Sequence, residues 1–162
     1  MTDAANRTGT TRYLPPGRLS RAVNRIVAAL TRRGLSLWGS RVLSVAGRNT
    51  GIMRSTPVNV LTLDGEQYLV AARGNTEWVR NLRAAGRGRL TVGRREQWFT
   101  GVEVLDDTRL PVLRAYLRRW AWEAGAFFDG VTAGTSDDEL RAAAGKHPVF
   151  RIVPTPTPED RS

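Results

Sequence analysis

Asp64-Gly65 is the feature of this 162-residue chain that most restricts how it can fold. Thr56 to Leu63 precedes it and Glu66 to Ala72 follows, two runs rich in Val, Leu and Thr with Tyr68 among them. A two-residue turn with left-handed backbone is what Asp-Gly supplies, so the runs are expected to pair as an antiparallel hairpin. Pro57 is read at the opening of the first arm, where a missing N–H does least harm. The arms lead back to two loops that carry arginine. One is Gly47-Arg48-Asn49-Thr50-Gly51 with Arg54-Ser55-Thr56-Pro57; the other is Ala71-Ala72-Arg73-Gly74, running into Trp78-Val79-Arg80-Asn81-Leu82. Glycine-freed backbone, hydroxyls and unpaired amides beside arginines suit the capture of a phosphate or carboxylate.

The rest of the pattern agrees with a curled antiparallel sheet. Arg41 to Ala46 is expected as a strand ending at Gly47, and Arg89 to Val92 with Glu96 to Val104 as a second hairpin around Gly93-Arg94-Arg95. Gly101 inside the longer arm suggests a bulge or sharp bend, and Val149 to Val153 forms a last short strand. Thr76 is placed to cap a short helix from Glu77 to Gly86. Leu110, Leu113, Leu117, Trp120, Ala121 and Ala124 give a helix from Arg109 to Ala124 its apolar stripe. Ser136-Asp137-Asp138-Glu139 is a capping box that opens a third helix ending at Gly145. Leu19, Val23, Ile26, Val27 and Leu30 mark an amphipathic helix before the sheet, with Arg18, Arg21 and Arg25 on its polar side. Such a basic helix is a candidate for membrane-surface contact or for a lid, beside the ordinary reading of packing on its own domain. Residues 1–16 read as a mobile arm, 17–153 as one domain, and 154–162 as a disordered Pro-rich tail that does not pair in a sheet. The class is α+β, with the sheet closing into a small barrel.

Composition narrows the chemistry. No apolar run approaches the roughly 20 residues of a membrane span, the start lacks a signal-peptide core, and a cytoplasmic protein is expected. Without cysteine there is no disulfide framework, thiolate metal site or Cys nucleophile. The formal charge of +10 rests on arginine, since Lys146 is the only lysine, so an anionic partner is expected. The arginines are spread over helices and loops with no readout motif, which speaks against a sequence-specific nucleic-acid binder and leaves nonspecific binding as a weaker alternative. His147, the only histidine, precedes Pro148 at a strand entry and reads as structural. Asp106-Asp107 and Asp137-Asp138 precede helices, where capping accounts for them. No metal site and no catalytic side chain are expected. Any redox or transfer chemistry is then brought in by a cofactor.

Gly47-Arg48-X-X-Gly51-X-X-Arg54-X-X-Pro57, a hairpin, Ala71-Ala72-Arg73-Gly74 and Trp78-X-X-Asn81-Leu82-Arg83-Ala84 together resemble the deazaflavin-dependent nitroreductases of actinobacteria. That resemblance implies a split β-barrel and coenzyme F420. The phosphate and oligoglutamate contacts of the cofactor would fall on Arg48, Asn49 and Thr50 and on Arg54, Ser55, Thr56, Pro57, Val58 and Asn59. Its ring would lie near Ala71, Ala72, Arg73 and Gly74, beside Trp78, Val79, Arg80, Asn81 and Leu82. The loop before Trp78 is shorter than is usual there, and Trp and Phe replace tyrosines that line the substrate site of some relatives. Trp122, Phe127 and Phe128, which lie off the buried stripe and near Gly125 and Gly130, are the expected substrate-binding residues. The implied activity is hydride transfer from reduced F420 to a quinone-like or nitroaromatic small molecule. FMN is the alternative cofactor, and a carrier of F420 without turnover is the alternative role.

Overall fold

The computed structural model describes residues 40–157. The expected arm at 1–16, the amphipathic helix over 18–31 and residues 158–162 lie outside the described residues. Six strands form a closed barrel: β1 (Ser40–Ala46), β2 (Met53–Leu63), β3 (Glu66–Val70), β4 (Arg87–Val92), β5 (Arg95–Glu103) and β6 (Val149–Thr155). Their order around the barrel is β1-β2-β3-β6-β5-β4, with β4 closing on β1 and every pair antiparallel. Three helices accompany them: α1 (Glu77–Ala85), α2 (Arg109–Ala124) and α3 (Asp137–Ala144), with a 3-10 turn at Gly125–Phe127. This is the α+β split barrel that the sequence implied. No helix among the described residues is long and apolar enough to cross a membrane.

Local chemistry explains the joints. Asp64 and Gly65 both take positive φ, 50° and 78°, which is the backbone that a tight primed hairpin turn requires. Ser136 closes its capping box: its Oγ accepts from the Glu139 amide and donates to the Glu139 carboxylate at 2.8 Å. Gly86 ends α1 in the left-handed region and donates its N–H to the Leu82 carbonyl.

Two apolar cores share the sheet, and alternation along the strands assigns each side chain to one of them. Val60, Leu69, Phe99, Phe150 and Ile152 point inward with Leu43, Val45 and Leu90, and α1 adds Val79 and Leu82 to that inner cluster. Leu61, Val70 and Val149, their neighbours along the strands, join α2 and α3 in the outer cluster around Leu113, Leu117 and Trp120. Pairing keeps the faces in phase, with Val60 opposite Leu69 and Val70 opposite Val149.

Four details correct the sequence reading. β2 begins at Met53, so Pro57 lies within the strand, opposite Val42. β3 takes up pairing with β2 only from Val60, so the ring at Pro57 interrupts no β2–β3 ladder. β6 runs on to Thr155, with Pro154 opposite Phe99 and Thr155 opposite Trp98, although the tail was expected to begin at 154. Its pairing with β3 ends at Ile152, so beyond that point only β5 is a partner, and an edge position tolerates proline. Gly101 belongs to regular β5 pairing opposite Ile152. A Cβ there would lie 3.0–3.1 Å from the Leu82 side chain, so this glycine lets α1 settle on the barrel. Finally, α2 departs from helical geometry at Trp120 (φ −125°), which leaves Ala121 of the expected stripe exposed.

Candidate functional site

The first half of β2 pairs with β1 but is not reached by β3, and a cleft opens on that side. Residues 54–59 face the loop that leaves β3 and enters α1, and between them lies a cavity of about 890 Å³. Its walls combine Arg48, Asn49, Thr50 and residues 54–59 on one side with Ala71, Ala72, Arg73, Thr76, Glu77, Trp78 and Asn81 on the other. Val45, Gly47, Val70 and Tyr116 complete the lining.

The loop between β1 and β2 is built from its own hydrogen bonds. The Gly47 amide donates to the Ile52 carbonyl at 2.9 Å, and the Gly51 amide to the Gly47 carbonyl at 2.7 Å. A Cβ on Gly47 would stand 3.0 Å from Thr50 Oγ1 and 3.2 Å from the Ile52 carbonyl, and Gly51 has φ 67°. The amides of Arg48, Thr50 and Ile52 are also engaged, by Asn81 Oδ1, the Gly47 carbonyl and Thr50 Oγ1. The glycines thus fold the loop on itself, and the expected row of free amides is largely spent. An anion entering here would be met by side chains.

Those side chains are not equivalent. Arg48 donates through Nη1 to Glu77 Oε2 at 2.7 Å and to Asn81 Oδ1 at 3.1 Å, and its amide donates to the same Asn81 oxygen at 3.2 Å. Asn81 is buried, so one amide side chain from α1 pins both the backbone and the guanidinium of the loop. Arg54 is exposed and forms no ion pair among the described residues. The guanidinium of Arg73 lies 4.7 Å from the centroid of the Phe127 ring. The hydrogen bond from Arg48, with the charges of Arg48, Arg80 and Arg54, holds the Glu77 carboxyl below its ordinary range. Thr76 occupies the N-cap position of α1 but makes no capping hydrogen bond, contrary to expectation. Its hydroxyl is buried in the cavity wall without a protein partner among the described residues.

The structure brings together most residues that the sequence nominated and separates a few. Arg48, Asn49, Thr50, Arg54, Ser55, Thr56, Pro57, Val58, Asn59, Ala71, Ala72, Arg73, Trp78 and Asn81 line the cavity. Gly74 stands behind the wall: its φ is 79°, and a Cβ would sit 3.0 Å from the Lys146 carbonyl. Val79 and Leu82 are fully buried in the inner core, and Arg80 points outward to Glu77 at 2.6 Å. One face of a helix cannot line a cavity and fill a core at once.

The three aromatic residues expected at the substrate are not on the wall. Phe128 is buried beneath His147, with ring centroids 3.9 Å apart and planes at 20°. Trp122 is 67% exposed, beyond the kink at Trp120 that turns this end of α2. Phe127 is partly exposed under Arg73. Tyr116, four residues before Trp120 on the buried stripe, is the side chain that α2 gives to the cavity. Glu77, Thr76 and Gly47 were also missed as lining, because each read as capping or turn chemistry.

His147 supports this site from below. Pro148 accepts the Ala71 amide at 2.8 Å, so the turn carrying His147 braces the strand end that forms the wall. Burial pushes the imidazole pKa down from its ordinary 6.5, opposed by the backbone at Ala71 and Ala72. A depressed histidine favours the native state while neutral, so its contribution is present above 6.5 and is lost as pH falls through the lowered value. Wild type is expected to lose more thermal stability between neutral and mildly acid pH than His147→Gln does. Parallel melting profiles for the two would remove His147 as the cause.

The family model for F420H2-dependent quinone reductases matches residues 18–126 of the chain. No curated protein sequence matches it. Among solved structures, one described as a domain-swapped dimer is 15% identical, with a TM-score of 0.52 over 86% of this chain and 99% of its own. A protein of unknown function from Agrobacterium tumefaciens is 15% identical, with a TM-score of 0.52 over 75% of this chain and 54% of its own. These two share the fold. An F420-H2 dependent reductase, FDR-A, is 16% identical with a TM-score of 0.48, covering 70% of this chain and 93% of its own. The match over most of the barrel, together with the cleft beside it, identifies the chain as a member of the F420H2-dependent quinone reductase family, an F420-dependent oxidoreductase whose cofactor is coenzyme F420.

Proposed function

We propose that this protein passes a hydride from reduced F420 to a quinone-like or nitroaromatic acceptor, with the cofactor held in the cavity between β2 and α1. The observation that carries the reading is the mixed lining of that cavity, arginines and hydroxyls at residues 48–56 together with the small apolar Val70, Ala71 and Ala72 beside Trp78. F420 has an anionic tail and a flat ring, and the donor set fits both. Arg54 forms no ion pair among the described residues, and the buried Thr76 hydroxyl makes no hydrogen bond to them. Arg54, Asn49, Thr50, Ser55 and Thr56 would hold the tail by charge and hydrogen bonding. Val70, Ala71, Ala72 and Trp78 offer low apolar relief on which a ring can rest.

Reduced F420 supplies the hydride when bound. The chain's own residues bind, orient and exclude water. Orientation is worth most where the reacting groups must meet without a covalent tether. Trp78 is fixed by its tilted contact with Phe150 at 5.9 Å, and Ala71 by its hydrogen bond to Pro148, so this wall is preorganised. Glu77, the one carboxylate in the lining, is engaged by two arginines and is therefore poorly suited to act as a general base. Tyr116 closes the apolar end.

Oxidation of F420H2 by purified protein, followed with a panel of quinones and nitroaromatics, tests this reading. Turnover with at least one acceptor is expected. Tight F420 binding with no acceptor reduced would make the protein a carrier, and stronger binding of FMN than of F420 would overturn the cofactor assignment. Trp122→Ala is expected to leave F420 affinity unchanged, since Trp122 stands off the wall; a marked loss of affinity would bring that residue back into the site.

A further inference from the structure

Glu77 is the one carboxylate lining a cavity whose other charged lining residues are Arg48, Arg54 and Arg73. Its two oxygens have separate partners. Oε2 meets Arg48 Nη1 at 2.7 Å, and Oε1 meets Arg80 Nη2 at 2.6 Å. Arg48 is also held by Asn81 through both its amide and Nη1, so its position does not depend on Glu77. The Glu77 side chain is 67% exposed, and an exposed ion pair is weak and readily exchanged.

We propose that Glu77 is a placeholder for a ligand's anion: it occupies Arg48 in the free protein and yields Arg48 when a phosphate or carboxylate enters the cavity. The exchange is cheap for a structural reason. On leaving Arg48 the carboxylate keeps Arg80, so neither Glu77 nor Arg48 is left without a counter-charge. Glu77 thereby sets how strongly the cavity holds polyanions. A ligand must bring enough negative charge to displace it, which favours a tail with several charges over a single weak anion. The identity of the natural ligand rests on the F420 reading above; the exchange itself concerns any polyanion that reaches Arg48.

The test is a titration of wild type, Glu77→Gln, Arg48→Ala and the double variant with F420, read by fluorescence, and with inorganic pyrophosphate, read by calorimetry. Glu77→Gln is expected to tighten both ligands by about twofold to fivefold, the scale of one exposed ion pair, and the gain should shrink as salt rises. In the Arg48→Ala background the same substitution should give a clearly smaller gain, because only the carboxylate's general repulsion of the anion is then removed and there is no guanidinium to release. Unchanged or weaker binding by Glu77→Gln would overturn the proposal, and so would an equal gain with and without Arg48. Should pyrophosphate bind while F420 does not, the F420 reading fails and the pyrophosphate arm still decides the exchange. Failure of both probes to bind wild type and Glu77→Gln overturns both.

Discussion

Leu82→Ala is expected to lower the unfolding free energy by about 2–5 kcal/mol, the cost of deleting a fully buried leucine from a core that relaxes only in part. For a domain of this size that corresponds to a fall in Tm of roughly 2–4 °C per kcal/mol. Leu82 is fully buried, and its branched end meets β5 where Gly101 leaves no side chain. The two residues are one fitted contact. Gly101→Ala alone would push a methyl to 3.0 Å from Leu82, and overpacking of that kind costs about 1–3 kcal/mol. Combined with Leu82→Ala, the same methyl enters the space the leucine left, so the double variant should be more stable than the sum of the single losses predicts. Chemical denaturation of the four proteins checks this. Strict additivity would mean that α1 does not rest on Gly101. The contact matters to function because α1 carries Trp78 and Asn81 on its cavity side, within about one turn of Leu82.

Several parts of the architecture are legible from short-range chemistry alone. Asp64-Gly65 dictates a hairpin because few other pairs accept positive φ at both positions, and the turn has that geometry. The stripe from Leu110 to Ala124 reads as a helix because its period admits no strand, and α2 spans Arg109–Ala124. Ser136 with Glu139 is a reciprocal cap that the local sequence fully specifies. Relations between distant segments are not carried in this way. Glu77 lies 29 residues from Arg48, and only the closure of α1 over the β1–β2 loop makes them partners. Pro57 argues against a strand interior until it is known that β3 reaches β2 only from Val60. Phe127 and Phe128 are adjacent in sequence, yet a 3-10 turn sends one outward beneath Arg73 and buries the other on His147. A pattern of apolar residues tells which side chains leave water, but not whether they face a core or an apolar cavity. That ambiguity is why most residues nominated between Arg48 and Asn81 line the cavity, while Trp122, Phe127 and Phe128 stand off its wall and Tyr116 is on it.

Arg54→Ala is expected to weaken F420 binding by about 1–3 kcal/mol, the range for losing one charge-assisted contact, and to do so more than Arg48→Ala does. The two arginines are alike in sequence, each in the same short basic stretch, and their difference arises from the fold. Arg48 already has Glu77 and Asn81 as partners, so part of what a ligand gains from it is repaid in breaking those contacts. Arg54 forms no ion pair among the described residues and feels Glu77 only as a more distant charge, so less of its interaction with a ligand anion is offset. Arg54→Glu should be worse than Arg54→Ala, since it adds a repulsive charge beside Ser55 and Thr56 on the same wall. Fluorescence titration at two salt concentrations separates charge from packing: losing Arg54 should flatten the salt dependence, while a purely steric defect would leave its slope intact. Equal affinities of wild type and Arg54→Ala would place the anionic tail elsewhere. A larger loss from Arg48→Ala would mean that Glu77 costs the ligand little, and that the paired arginine, oriented by Asn81, is the stronger site.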